Sequence, residues 1–171
     1  LAPEIAYRIG QPLRQLPKPL TPEQNAAFRS LARRTWLFFE DFVGPNDHWL
    51  PPDHFQELPH ARIASYTSPT NFGMLLLSTL AAYDLGYIGI AALVSRLRST
   101  FESLNRLERY RGHFLNWYDT RTLEALLPRY VSTVDSGNLA ACLRILGQAC
   151  QQIPSTPVLR WQRWEGLADT F

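Results

Sequence analysis

The chain has 171 residues, 46% of them hydrophobic and 19% charged, with a formal net charge of only +2. That length and apolar content suit one globular domain with a real core and exclude a disordered chain. The near-balanced charge excludes a dedicated nucleic-acid surface, which would carry clustered basic residues.

In chain order, residues 1–20 hold four prolines among scattered Leu, Arg and Gln and read as an extended lead-in. Thr21, Pro22 and Gln24 then start a helix: a capping hydroxyl, proline at the first helical position, and an amide three residues on to close a capping box. Its apolar stripe (Ala27, Leu31, Phe38, Phe42) is widened by Phe28, Trp36, Phe39 and Val43, so the helix is expected to pack on more than one side. Gly44-Pro45 stops it. A second helix starts at Ser68-Pro69 and is apolar nearly all round, the pattern of a buried helix, before Gly86 ends it. A third runs to about Tyr110 with Leu93, Leu97, Phe101, Leu104 and Leu107 on one side. Asp135-Ser136 is read as the cap of a fourth, and Pro154 closes that helix. The last residues, WQRWEGLADTF, can form a short fifth. The division that results is a lead-in over 1–20, a helical domain over 21–153 and a tail over 154–171.

Arg96, Arg98, Arg106, Arg109 and Arg111 interleave with Glu102 and Glu108, the mark of a solvated helix face. The two cysteines, Cys142 and Cys150, lie about 12 Å apart along a helix and cannot pair. Unpaired and expected to be buried, they suit a reducing compartment. The longest apolar run, near 74–82, is too short to span a bilayer. No signal peptide is visible, and a chain that starts at Leu1 without methionine reads as an excised piece of something longer.

Function is sought in the two long irregular stretches, 44–67 and 111–135, which hold all four histidines. The second and third helices are joined by a few residues and must be antiparallel neighbours. If the helices alternate up and down, both long loops emerge at one end and their side chains converge. Trp49, Trp117, Tyr66 and Tyr118 offer flat apolar plates. Asp53, Gln56, Asn71, Asn116, Asp119, Asp135 and Asn138 offer fixed donors and acceptors. A sugar ring has an apolar face edged by hydroxyls, so the mixture suits carbohydrate. The bland alternative is that Asn116 and Asp119 cap turns, Asp135 caps a helix, and the tryptophans are core.

A metal is the rival ligand. His48, His54 and His60 recur every six residues beside Asp47 and Asp53, a spacing that matches neither a helical face nor a usual zinc site. No metal and no cofactor is expected. No glycine-flanked serine elbow or glycine-rich phosphate loop is present. Glycoside chemistry would need two carboxylates about 5 to 5.5 Å apart for retention, or about 6.5 to 9.5 Å for inversion. Asp119 and Asp135 are eligible, with Glu57 and Glu108 behind them.

The strings HWLPPDHFQE, TSPTNFG, LERYRGHFLNWYDT and YVSTVDSGNLA resemble the glycoamylase-like middle region of cyclic β-1,2-glucan synthases, over roughly residues 30–152. The resemblance implies an all-α fold: helical hairpins forming part of an (α/α)6 toroid around a sugar cleft, with the two long loops at one end. It implies a piece of a large, membrane-embedded bacterial enzyme, lying on the cytoplasmic side of the inner membrane, that cyclises linear β-1,2-glucan by transglycosylation. Trp117, Tyr118, Asp119 and the stretch containing Asp135, Ser136 and Asn138 would line the cleft; Leu115 and His54 depart from the residues expected there. With the loop chemistry, the candidate substrate-binding set is Trp49, Asp53, Gln56, Asn71, His113, Asn116, Trp117, Tyr118, Asp119, Asp135, Ser136 and Asn138. The catalytic glutamates are expected farther along the parent chain, so no catalytic residue is nominated and the isolated piece is expected to be inactive. The partners implied are a β-1,2-glucan oligosaccharide, the rest of the parent chain and, through exposed apolar faces, a second copy. The alternative from another class is a non-catalytic helical module that binds protein partners.

Overall fold

A computed structural model of the chain describes residues 2–10 and 18–170. Six helices carry the described fold: α1 (Ala2–Ile9), α2 (Pro22–Phe42), α3 (Pro69–Asp84), α4 (Ile90–Arg106), α5 (Thr133–Gln152) and α6 (Gln162–Ala168). Helix α1 stands where the prolines suggest an extended lead-in. Its own proline, Pro3, falls in the first turn, where a missing N–H breaks no helical bond. Residues 11–17, the middle of that lead-in, lie outside the described residues.

The N-terminal signals of α2 and α3 act as expected. The Thr21 hydroxyl accepts from the Gln24 amide at 3.2 Å, and the Gln24 side chain accepts from the Thr21 amide at 3.0 Å. Ser68 caps α3 by accepting from the Asn71 amide. The cap of α5 is displaced from the expected position. Ser132, not Asp135, accepts the free amide, and the N–H it satisfies belongs to Asp135 itself. Ser-x-x-Asp is itself a capping sequence, so the true cap lies one turn earlier than the aspartate suggests. Helix α4 also stops sooner than its periodicity implies, at Arg106, because Arg109–Tyr110 (β4) turns back to pair with His113–Phe114 (β5).

Helix α3 is the centre of the molecule. It packs most extensively on α5 and also against α2 and α4. Two apolar clusters result. One joins Leu50, Phe72, Leu76, Leu80, Leu104 and Leu139 with the second long loop; the other joins Trp36, Phe39 and Val43 of the α2 segment to Leu75, Tyr83 and Leu93. The close α3–α5 approach depends on Gly73, where a Cβ would meet Cys142 Sγ at 2.8 Å. Cys142 is buried and Cys150 is exposed, so only one thiol is the interior group expected, and both are free. Helix α2 is packed on one side only: Trp36 and Phe39 are buried, while Phe28 and Leu31 stay exposed.

At the far end of α3, the α3–α4 turn receives α6. Gly86 (φ +86°) and Gly166 touch backbone to backbone there; a Cβ on Gly166 would sit 2.5 Å from the Gly86 carbonyl carbon. Arg163 donates to the Gly86 carbonyl at 3.1 Å, and Arg160 donates to the Tyr83 carbonyl with its guanidinium 4.0 Å from the Tyr83 ring centroid. Arg29 of α2 completes the dock with an ion pair to Asp169 at 2.7 Å. Among the described residues, no helix is long and apolar enough to cross a membrane.

Candidate functional site

Both long loops emerge at the end of the bundle that holds the N-termini of α3 and α5, and they join there. Tyr66–Thr67 (β3), from the first loop, pairs antiparallel with Tyr118–Asp119 (β6), from the second, with Tyr66 opposite Asp119 and Thr67 opposite Tyr118. Around this pair the Thr120 amide donates to Ser65 O, the Thr120 hydroxyl donates to Asp47 at 2.9 Å, and His48 Nδ1 lies 2.9 Å from the Thr120 carbonyl. The first loop is also anchored to α4, where Thr100 and Ser103 donate to the carbonyls of Trp49 and His48. Convergence inferred from loop lengths is thus present as a short sheet with side-chain ties.

On this rim four of the sequence-derived candidates, Asp53, Asn71, Asp135 and Asn138, fall into two hydrogen-bonded groups at adjacent helix ends. Asn71 donates to Asp53 Oδ1 at 3.0 Å, and His54 Nδ1 lies 2.9 Å from Asp53 Oδ2. One residue along α3, the Thr70 hydroxyl donates to Asp135 Oδ1 at 2.6 Å and accepts from Asn138 Nδ2 at 3.1 Å. Beside them the half-buried rings of Tyr66 and Trp117 meet edge to face, with centroids 5.2 Å apart, and His54 stands edge-on to Tyr66 at 6.3 Å. Burial pushes the Asp135 carboxyl up, but hydrogen bonds from Ser132, Thr70 and Ser68 outweigh it and leave the group below the usual carboxylate range. Asp135 at the first turn of α5 therefore stays ionised, where the helix dipole also favours negative charge.

Other candidates have structural tasks. Tyr118 is fully buried; its hydroxyl donates to Glu108 O at 2.7 Å and accepts from the Leu115 amide. Asn116 is buried, and its backbone N–H donates to Tyr130 O. Asp119 Oδ1 accepts the amides of Arg121 and Thr122 at 2.8 and 2.9 Å, closing its own turn. Trp49 packs against the second core cluster, and the Arg96 guanidinium lies over both Trp49 and Trp36, at 5.6 and 5.2 Å. Arg96 was expected on a solvated face; these two rings hold it partly buried instead. Gln56 is exposed in the Phe55–Gln56/Arg62–Ile63 (β1–β2) pairing, which also carries exposed His60 in its turn. Ser136 is half-buried in the first turn of α5. His113 lies elsewhere, in the β4–β5 hairpin. His48, His54 and His60 point to three different partners or to solvent, and among the described residues no three His, Cys, Asp or Glu side chains converge as metal ligands.

Sequence reasoning left Thr70 out of the site, although its hydroxyl links Asp135 to Asn138. The available signal was its place in the first turn of α3, one residue before Asn71 and facing the loops. His54, read in the sequence as a metal-ligand rival and as a departure from the resembled cleft, contacts the Asp53 carboxylate that holds Asn71.

The architecture is that of helical hairpins forming part of an (α/α)6 toroid with its loops at one end. Two solved structures share it: glucoamylase candidates from Bacteroides fragilis NCTC 9343 (TM-score 0.57, 18% identity, 82% of this chain and 37% of that one) and Bacteroides caccae ATCC 43185 (TM-score 0.55, 18% identity, 74% and 36%). At the level of sequence, the chain is 41% identical over 170 residues to a segment of the cyclic beta-(1,2)-glucan synthase NdvB of Rhizobium meliloti (strain 1021). The match takes in 98% of this chain, so it reaches beyond residues 30–152 into the lead-in and the tail, and the chain spans 6% of that relative's length. No protein-family model matches the chain.

Proposed function

We propose that this chain is a segment of a carbohydrate-processing enzyme and forms part of the cleft that holds a β-1,2-linked glucan while the parent protein cyclises it by transglycosylation. The observation that carries this reading is the loop rim. Asp53, Asn71, Thr70, Asp135 and Asn138 form a polar edge from two helix ends beside the Tyr66 and Trp117 rings. Carboxylate, amide and hydroxyl groups can exchange hydrogen bonds with sugar hydroxyls, and the ring faces can cover the apolar side of a pyranose. The likeness to one segment of a cyclic beta-(1,2)-glucan synthase supports the choice of linkage. The remaining domains of the parent chain would supply the reacting groups. Asp119 and Asp135 are both engaged in local hydrogen bonds, which suits substrate positioning or structure better than proton transfer. The isolated chain is accordingly expected to leave linear β-1,2-glucan intact.

Titration with β-1,2-gluco-oligosaccharides, followed by tryptophan fluorescence, tests the cleft. The intact chain should respond, and Trp117→Phe and Asn71→Ala should each weaken the response by about tenfold. A flat titration, or one that both variants leave unchanged, removes the reading. One observation favours a protein-interaction module instead: Trp161 and Trp164 on the docked tail are 72% and 66% exposed, near exposed Leu159. With Phe28 and Leu31 they would also support self-association, and sedimentation of a clean monomer at high concentration would count against that.

A further inference from the structure

The β4–β5 hairpin and residues 129–131 enclose a groove of about 520 Å³ that is separate from the loop rim. Buried Tyr118 divides the two: its backbone pairs with Thr67 on the rim side, while its hydroxyl donates to the Glu108 carbonyl on the groove side. Three arginines line the groove (Arg109, Arg111, Arg129) with His113 and only one carboxylate, Glu108. Glu108 is taken by Arg129, at 3.2 Å. Arg109 lies 4.4 Å over the Phe114 ring and donates to Leu104 O and Asn105, none of them anionic. Arg111 has the Tyr110 ring as its contact, at 5.4 Å, and among the described residues no carboxylate pairs with it.

The backbone adds a second, independent observation. Arg111 and Gly112 are the two turn residues of the hairpin, and both have positive φ, 49° and 87°. Two-residue turns of this kind favour Asn-Gly or Gly-Gly, because a side chain other than Asn or Asp is strained in the left-handed region. Arginine holds a position where asparagine or glycine would fold more easily, and strain of this sort clusters at binding positions. The turn sets the Arg111 cation at the groove edge, beside Tyr110, which is opposite His113 in the hairpin register. Tyr110 and Tyr130 are 57% and 49% exposed and supply flat walls.

We infer that this groove binds a ring compound bearing an anionic group, a phosphate monoester or carboxylate on a hexose-sized body: Arg111 and Arg109 receive the anion, and Tyr110 and Tyr130 cover the ring. Arginine suits such anions because its planar fork can donate two parallel hydrogen bonds. The site is independent of the glucan cleft, since its residues are not those of the rim.

Nuclear magnetic resonance titration of the full chain with glucose 6-phosphate tests it, with glucose, glucuronate and inorganic phosphate as separate arms. The expected result is saturable movement of the Gly112, His113 and Tyr110 signals with glucose 6-phosphate and with glucuronate, weaker movement with phosphate, and none with glucose. Arg111→Gly, which relieves the turn and should hold or raise the melting temperature, should weaken binding about tenfold. Several outcomes overturn the inference: no movement with either anionic sugar, equal binding of inorganic phosphate and glucose 6-phosphate, a response to glucose alone, or full binding retained by a folded Arg111→Gly chain. Because β-1,2-gluco-oligosaccharide is uncharged, its failure at the rim would leave this result standing, and the reverse also holds.

Discussion

The two ends of α3 are built by different means. At its N-terminus, side chains from two loops and a neighbouring helix meet as a polar edge: Asp53 with Asn71, then Asp135 with Thr70 and Asn138. At its C-terminus, some 24 Å away at 1.5 Å per residue, the fit is backbone against backbone, Gly86 on Gly166, fastened by arginines to carbonyls. The rim keeps polar groups half-exposed, where a ligand can reach them. The α6 dock uses its polar groups on the protein itself and leaves aromatic surface outside. The first arrangement resembles a binding site and the second a joint, and that difference can be tested by perturbing each end and watching the other.

The largest effect is expected beneath the rim. Phe72 is fully buried and touches Phe114 and Tyr118, which carry the second loop. Phe72→Ala should cost about 3–5 kcal/mol in chemical denaturation and loosen the loops before it frees α6. A loss below about 1 kcal/mol would mean the rim does not rest on that core. At the opposite end, Gly166→Ala places a methyl group against the Gly86 backbone. It should cost about 1–3 kcal/mol, detach α6, and remove hydrogen-exchange protection there while the Asn71 and Asn138 side-chain signals stay in place. If those rim signals also shift, the two ends are one cooperative unit.

Smaller changes separate the ends by pH. Asp135 titrates below the usual carboxylate range, so its contribution to stability is present above that range and is lost as pH falls through the lowered value. Thr70→Val removes one of the hydrogen bonds responsible, should cost about 1 kcal/mol at neutral pH, and should flatten the acid limb of a stability–pH curve. Tyr87 behaves in the opposite sense. Burial, followed by the Asp169 charge and hydrogen bond, raises its hydroxyl from 10.0 to about 12. Stability from that end is intact below pH 10 and declines as pH rises towards 12, because the folded state resists ionisation more than the unfolded chain does. Tyr87→Phe should shrink that alkaline decline, leaving the part from Tyr118, whose hydroxyl burial also pushes up, and leave the acid limb unchanged; an alkaline limb of undiminished size would assign it to another group.

What could be read from the sequence follows the range of each interaction. Thr21 and Ser68 were legible because capping works over three residues. The meeting of the loops was legible because loop length restricts helix direction. The α5 cap was misplaced by one turn because Ser132 and Asp135 are both capping residues; the Ser132-x-x-Asp135 spacing is the local signal that favours the serine. Trp49 and Tyr118 looked like exposed plates because composition cannot show that Arg96 covers one and that the Leu115 amide and Glu108 carbonyl engage the other. The Gly86–Gly166 contact joins residues far apart in sequence, and nothing local marks either glycine as its partner. Two-residue strands such as Tyr66–Thr67 are too short to leave an alternating pattern.

The most direct test of the account is residue-resolved titration of the intact chain with a β-1,2-gluco-oligosaccharide. The Trp117 indole and the Asn71 and Asn138 side-chain amides should move together and saturate, while the Trp161 and Trp164 indoles at the other end of α3 remain still. Movement confined to Trp161 and Trp164, or no movement at the rim at saturating sugar, would contradict a saccharide cleft between the two loops.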